Sequence, residues 1–283
     1  EGVKRVDHRP HLLLPGFIDA HVHFPQMQVI ASYGAELLDW LNTYTFPEET
    51  KFANAQHGRR IARLFLDEMV RHGTTTVAAY CSVHKASAEA FFAESHDRNM
   101  LNIAGKVMMD RNAPHGVLDT PQSGYDDTKA LIREWHGKGR QHYAITPRFA
   151  ITSSPEQMEM AAALCREYPD LHMQTHLSEN HAEIAFTQEL YPWSRDYTDV
   201  YEHYGLLGKK SLFGHCIHLS EREADALSDS GSVAVFCPTS NLFLGSGLFG
   251  YQRFRRRGKP VRIAAATDVG GGSSYSMLRT MDE

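Results

Sequence analysis

The sequence predicts an α/β protein built as a single (β/α)8 TIM-type barrel. Short apolar or β-branched runs alternate with segments of helical spacing along most of the chain, the signature of βαβ units feeding a parallel sheet. Eight such strand-like runs can be read, and eight units close into a barrel. The length of 283 residues accommodates one barrel of roughly 250 residues with little to spare.

The opening run, Leu14-Pro-Gly-Phe-Ile-Asp-Ala-His-Val-His23, is the first strand. Side chains at i and i+2 of a strand share a face, so His21 and His23 point together and Val22 turns into the packing behind them. Two imidazoles on one face make half of a metal site. Residues 24–54 hold too many prolines, glycines and aromatics for one long helix and read as an extended loop with short helical pieces. Its Trp40, Tyr44 and Phe46 read either as a lid or as packing. From Ala55 to His72, residues Ile61, Leu64, Phe65, Met69 and Val70 keep helical spacing, and Gly73 stands where that helix stops. Strands then follow over 74–80, 102–110, 142–149, 171–179, 211–218, 232–241 and 261–268. Helices are expected between them near 85–99, 123–137, 154–167, 181–190 and 220–229. Glycine-rich loops occupy 245–250 and 270–274, and a final helix is cut short over 276–283. There is no internal repeat.

Composition narrows the function classes. A hydrophobic share of 42% with 22% charged residues is ordinary for a globular core. The net charge of −5 leaves no footprint for nucleic acid or an anionic membrane. The one dense basic run, residues 253–257, reads as a solvated loop or helix end. Cys81, Cys165, Cys216 and Cys237 have no C-x-x-C spacing, so neither a disulfide framework nor a thiolate zinc site is indicated. A reducing cytoplasmic setting fits that usage. No apolar run approaches the ~20 residues that span a bilayer, and no secretory signal opens the chain. The chain begins at Glu1 and reaches its histidine pair by His21, so it reads as a piece of a longer protein. Residues 1–11 would lead in from a missing segment, and residues 12–283 would form the barrel.

Working residues of such barrels sit at the C-terminal ends of strands. Reading only those ends collects His21 and His23, Arg148-Phe149, His176 with Glu179, His215 with His218, Pro238-Thr-Ser-Asn241, and Asp268. Neutral imidazoles and a carboxylate suit zinc, and a catalytic zinc keeps one position open. His176 can complete the cluster begun by His21 and His23, and Asp268 can supply the carboxylate. His181-Ala-Glu183 matches half of the cytidine-deaminase type of zinc signature, but the P-C-x-x-C half is absent. That triplet therefore reads as the start of an ordinary helix.

Pro15-Gly16-Phe17-Ile18-Asp19-Ala20-His21-Val22-His23 resembles the first-strand motif of the amidohydrolase superfamily, metal-dependent hydrolases on a TIM-type barrel. Phe24-Pro25-Gln26, Tyr33-Gly34, Leu37-Leu-Asp-Trp-Leu41 and Thr45-Phe46-Pro47-Glu48 resemble its guanine-deaminating branch, as do Lys106-Val-Met-Met-Asp-Arg-Asn112 and Cys237-Pro-Thr-Ser-Asn-Leu242. The likeness runs from around Leu12 to the chain end. It implies one divalent metal ion, zinc with ferrous iron as the alternative, held by His21, His23, His176 and Asp268. It also implies that Glu179, His215 and Asp268 perform the chemistry and that Gln26, Arg148, Phe149, His176 and Glu179 bind substrate. The implied reaction is hydrolytic deamination of guanine to xanthine and ammonia by a metal-activated water. Asp268 would take the water proton, Glu179 would protonate the ring nitrogen beside the attacked carbon, and His215 would orient the attacking oxygen. An Arg fork suits adjacent acceptors such as O6 and N7, an aromatic ring can stack on a purine face, and Gln26 can donate and accept. A cytoplasmic homodimer is implied as well, with a small β-rich domain built from both chain ends that this chain does not contain. Two rivals remain: a related hydrolase acting on another aminated or halogenated heterocycle, and a non-catalytic barrel scaffold. Gln26 and Arg148-Phe149 argue against the first, and the complete ligand set argues against the second.

Overall fold

The computed structural model describes residues 2–33, 36–256 and 258–283. Glu1, Gly34 of the resembled motif and Arg257 of the basic run lie outside the described residues. The strands are β1 (Phe17–His23), β2 (Thr74–Tyr80), β3 (Asn102–Gly105), β4 (Val107–Met108), β5 (Gln141–Pro147), β6 (His172–Leu177), β7 (Ser211–His215), β8 (Val233–Phe236) and β9 (Arg262–Ala265). They hydrogen-bond in the order β1-β2-β3-β5-β6-β7-β8-β9, all parallel, with β4 also paired to β5. The chain does form the predicted eight-stranded parallel barrel, nearly closed.

Closure between the last and first strands runs through the residues just beyond β9. The Asp268 N–H donates to the His21 carbonyl at 3.0 Å and the His23 N–H to the Val269 carbonyl at 3.1 Å. The buried Asp19 carboxylate seals the same seam, accepting from the Thr267 N–H at 3.0 Å and from the Thr267 hydroxyl. The acid preceding the histidine pair is thus a barrel staple.

Several predicted boundaries shift for identifiable reasons. The strand over 102–110 divides at Lys106, whose N–H donates to the Tyr143 hydroxyl at 3.2 Å instead of joining the ladder. Its buried ammonium pairs with Asp119 at 2.5 Å. The strand over 232–241 ends at Phe236, because Pro238 opens a helix over Pro238–Phe243, where its missing N–H costs nothing. The strand over 211–218 ends at His215, where the backbone turns left-handed at His215 and Cys216. A helix over Tyr197–His203, capped by Asp196 accepting from the Asp199 N–H, escaped the sequence reading. Five other barrel helices begin on local caps, with Asn54, Thr120, Ser154, Asn180 and Ser220 each accepting from a first-turn N–H, whereas the helix Lys85–Asp97 starts without a side-chain cap.

Residues 24–54 are more helical than an extended loop. A 3-10 turn over Phe24–Val29 precedes four nearly continuous pieces: Leu37–Trp40, a π turn over Leu41–Thr45, Phe46–Thr50 and Lys51–Ala53. Trp40 and Phe46 are buried in an apolar cluster with Val107, Met109, Phe149 and Leu244, and Tyr44 packs against its edge. The main core lies between the sheet and the outer helices and includes Phe24, Phe65, Phe91, Tyr143 and Phe213. The four cysteines are free thiols. Residues 253–256 of the basic run lie on a short helix, Tyr251–Arg256, with Arg253 paired to Glu221 at 2.8 Å. Among the described residues no helix is long and apolar enough to cross a membrane.

Candidate active site

At the C-terminal mouth of the barrel β1 brings His21 and His23 together, and β6 adds His176 from across the sheet. The His23 Nε2 lies 3.2 Å from the His21 Nε2 and 3.1 Å from the His176 Nε2. The His176 Nδ1 sits 2.7 Å from the Arg148 carbonyl. A carbonyl only accepts, so Nδ1 carries the proton and the Nε2 lone pair faces the cluster. Burial, then the neighbouring cationic groups, hold all three imidazoles well below their ordinary pKa, so they are neutral, as metal ligands must be. Zinc–nitrogen bonds of 2.0–2.1 Å in a tetrahedron place their nitrogens about 3.3 Å apart, close to the spacing found here. The Asp268 Oδ1 lies 3.5 Å from the His21 Nε2 and 3.6 Å from the His23 Nε2. This buried His/Asp group therefore fits a metal ion.

Glu179 stands two residues beyond β6, after the left-handed Ser178. Its carboxylate accepts from the Ser246 hydroxyl at 3.2 Å and faces the His215 Nε2 at 3.3 Å. Burial pushes this carboxyl up to about 7, while Ser246 and Arg148 pull it the other way. Burial likewise pushes Asp268 up to about 7, with His215 opposing and Glu179 adding to the rise. A cation bound beside Asp268 favours its ionised form. The His215 Nδ1 meets the Asn241 Oδ1 at 3.0 Å, which leaves Nε2 to face the pocket, 3.9 Å from the Asp268 Oδ2.

The same pocket is walled by Leu37, Trp40 and Leu41 and carries Gln26, Arg148 and Phe149 on its lining. Arg148 does not stand alone there. Its Nη1 bonds both carboxylate oxygens of the buried Glu49, at 2.9 and 2.8 Å. The Gln26 Nε2 donates to the same carboxylate at 2.8 Å.

The structure thus gathers His23, Gln26, Arg148, Phe149, His176, Glu179, His215 and Asp268 on the lining of one pocket, with His21 directly behind His23. His218, read with His215 on one strand end, stays outside: its Nε2 bonds the Ser246 carbonyl at 2.8 Å and its ring packs on His181 at 3.9 Å. Sequence reasoning missed Glu49, the role of Asn241, Ser246, and Tyr80, whose ring lies 4.6 Å from those of both His21 and His23. Glu49 directly follows the Thr45–Glu48 motif, so the resemblance passed one residue short of it.

Residues 12–283 match the amidohydrolase family. The chain belongs to that family. Within it the chain is 49% identical over 277 residues to guanine deaminase of Escherichia coli (strain K12), covering 98% of this chain and 63% of the relative. It is 43% identical to a probable guanine deaminase of Deinococcus radiodurans, covering 96% and 62%. The solved structure of guanine deaminase from C. acetobutylicum with bound guanine in its active site superimposes with a TM-score of 0.91 at 33% identity, over 95% of this chain and 64% of that one. The chain therefore spans less than two thirds of these relatives, and what it shares with them is the amidohydrolase barrel.

Proposed function

We propose that the protein hydrolyses guanine to xanthine and ammonia, using one divalent ion, zinc, held by His21, His23, His176 and Asp268. The observation that carries this reading is one buried pocket with the His/Asp group on one wall and the Arg148–Glu49–Gln26 assembly on another. A divalent ion bound there would lower the pKa of its water toward neutrality and so supply the nucleophile at neutral pH.

The remaining work belongs to the side chains. The free N–H groups of Arg148 donate to the O6 and N7 acceptor edge of the purine, and the Phe149 ring and the Trp40 wall enclose the base away from water. Asp268, ionised beside the cation, accepts the proton of the attacking water. Burial raises the Glu179 pKa to about 7, so both of its protonation states are populated near neutral pH, and its protonated form delivers a proton to the ring nitrogen next to the attacked carbon. His215, held at Nδ1 by Asn241, turns Nε2 toward the attacking oxygen and orients it. A cytoplasmic homodimer belongs to the same reading and rests on the likeness alone; sedimentation of the purified protein tests the dimer.

The deciding experiment is ammonia release from guanine by zinc-loaded protein, with adenine and cytosine as controls. Xanthine and ammonia from guanine only is the expected result. A zinc-loaded, folded protein inert toward guanine overturns the reading.

A further inference from the structure

Glu49 is buried at 1% exposure, Arg148 at 3% and Gln26 at 2%. Three side chains from three separate segments therefore meet out of water, with the carboxylate at the centre. One Glu49 oxygen accepts from both the Gln26 amide and the Arg148 Nη1, and its second oxygen accepts from Nη1 as well. Phe46, one helical turn before Glu49, lays its ring 5.3 Å from the guanidinium carbon. Thus the short helix Phe46–Thr50 contributes both the charge that pairs with Arg148 and the ring that holds its plane.

Two consequences follow from the hydrogen-bond count. With Nη1 committed to Glu49, Nη2 and Nε are the donors of Arg148 that remain for a ligand. With the Gln26 amide nitrogen committed too, its carbonyl oxygen turns the other way, against Gly270, where an added Cβ would lie 2.1 Å from that oxygen. The backbone φ of +125° at Gly270 likewise favours glycine. Gln26 is therefore clamped from both ends.

We propose that Glu49 is a positioning residue that locks Arg148 and Gln26 into one frame and cancels the guanidinium charge, so that the pocket reads the acceptor edge of a neutral purine and not a purine anion. The inference rests on the guanine reading above and extends it to the charge state of the substrate. An unpaired buried guanidinium would instead attract any anion that fits, because a charge removed from water gains most from an opposite one. Glu179, His215 and Asp268 also line the pocket, and they stay unchanged when only residue 49 is altered.

The test compares wild type, Glu49→Gln and Glu49→Asp in the intact zinc-loaded protein. It measures kcat and KM for guanine, metal content, and competitive inhibition by urate, a purine that is anionic at neutral pH. Glu49→Gln is expected to raise KM for guanine by up to about 10²-fold through a misplaced Arg148, with metal content unchanged. Urate inhibition should tighten in the same variant. Glu49→Asp keeps the charge but shortens the reach, so KM should rise while urate inhibition stays no tighter than in wild type. Proportional weakening of guanine and urate in Glu49→Gln would reduce Glu49 to a structural role and overturn the proposal. If Glu49→Gln does not fold, the Asp variant decides: a wild-type KM there overturns it. An inert wild type overturns the guanine reading and this inference with it, whereas an active wild type with an indifferent Glu49→Gln overturns this inference alone.

Discussion

Glu179 and Asp268 are carboxylates in one pocket, both pushed up to about 7 by burial, yet their surroundings assign them different work. Asp268 lies against the His21 and His23 nitrogens, while the Glu179 carboxylate lies against the Ser246 hydroxyl and the His215 Nε2. Glu179→Gln should therefore keep the metal and lose roughly 10²-fold or more in kcat. Metal analysis alongside steady-state kinetics checks this, and loss of metal with unchanged turnover per bound ion would move Glu179 into the coordination group. Arg148→Ala should leave metal content unchanged and narrow the preference for guanine over 2,6-diaminopurine. A donor-only fork rejects an amino group at C6, by as much as ~10⁴ where a buried charged donor is left unpaired. A wild-type ratio in that variant would place discrimination elsewhere. The His cluster and Arg148 were legible because strand alternation and strand-end position put His21, His23, His176 and Arg148 at the mouth of the barrel. Glu49 and Ser246 were not, since each arrives on a loop or short helix whose path no periodicity encodes.

At the scale of the element, the site depends on how strands end. Ser178, His215, Cys216 and Asp268 all have positive φ, an uncommon conformation for residues with a side chain and one that clusters at functional sites. These turns re-aim Glu179, His215 and Asp268 into the mouth, so strand assignment alone overextends the segments over 171–179, 211–218 and 261–268. Close packing between strands is as specific. A Cβ on Gly214 of β7 would lie 2.6 Å from the His21 ring, so Gly214→Ala should displace His21 and weaken metal binding by a margin of ~10-fold or more, in line with other changes behind metal ligands. Competition with a chelator of known affinity measures it; wild-type retention would show that the ring can yield. Glu183 gives a pH prediction. It caps the helix His181–Leu190 by accepting from the Glu179 and Asn180 N–H groups at 2.8 and 3.1 Å. Burial first, and the Glu179 charge next, push it up to about 7 from 4.5. Between those values the folded chain holds a proton that the unfolded chain has released, so stability falls as pH rises through the window, by on the order of 3 kcal/mol. Glu183→Gln keeps an acceptor and removes the titration, so the slope of urea stability against pH should flatten relative to wild type. An unchanged slope would mean that Glu183 does not titrate there.

For the whole molecule, the buried His/Asp group joins parts of the barrel that the backbone ladder brings together only indirectly. His21 and His23 come from β1, Asp268 from the segment past β9, and His176 from β6 across the mouth. β1 and the post-β9 segment already meet through the Asp268–His21 and His23–Val269 hydrogen bonds and the Asp19 staple. Eight parallel strands were legible because each hides an apolar run between helices of readable spacing, whereas the seam was not, since it is made by loop backbone and one acid. An ion bound to His21, His23, Asp268 and His176 would tie that seam to the opposite wall, and a ligand that binds only the folded state stabilises it by RT ln(1 + [L]/Kd), about 4 kcal/mol when free metal is a thousandfold above Kd. For a domain of this size each kcal/mol moves Tm by roughly 2–4 °C. Stripping the metal with a chelator should thus lower Tm by on the order of 10 °C in wild type. His176→Ala removes the ligand that crosses the mouth, so that variant should start near the stripped wild-type Tm, hold no stoichiometric metal, show no activity, and not respond to chelator. A chelator-dependent fall in Tm of wild-type size in His176→Ala would mean that the stabilising ion sits elsewhere in the barrel, and the assignment of His176 to the metal would have to be abandoned.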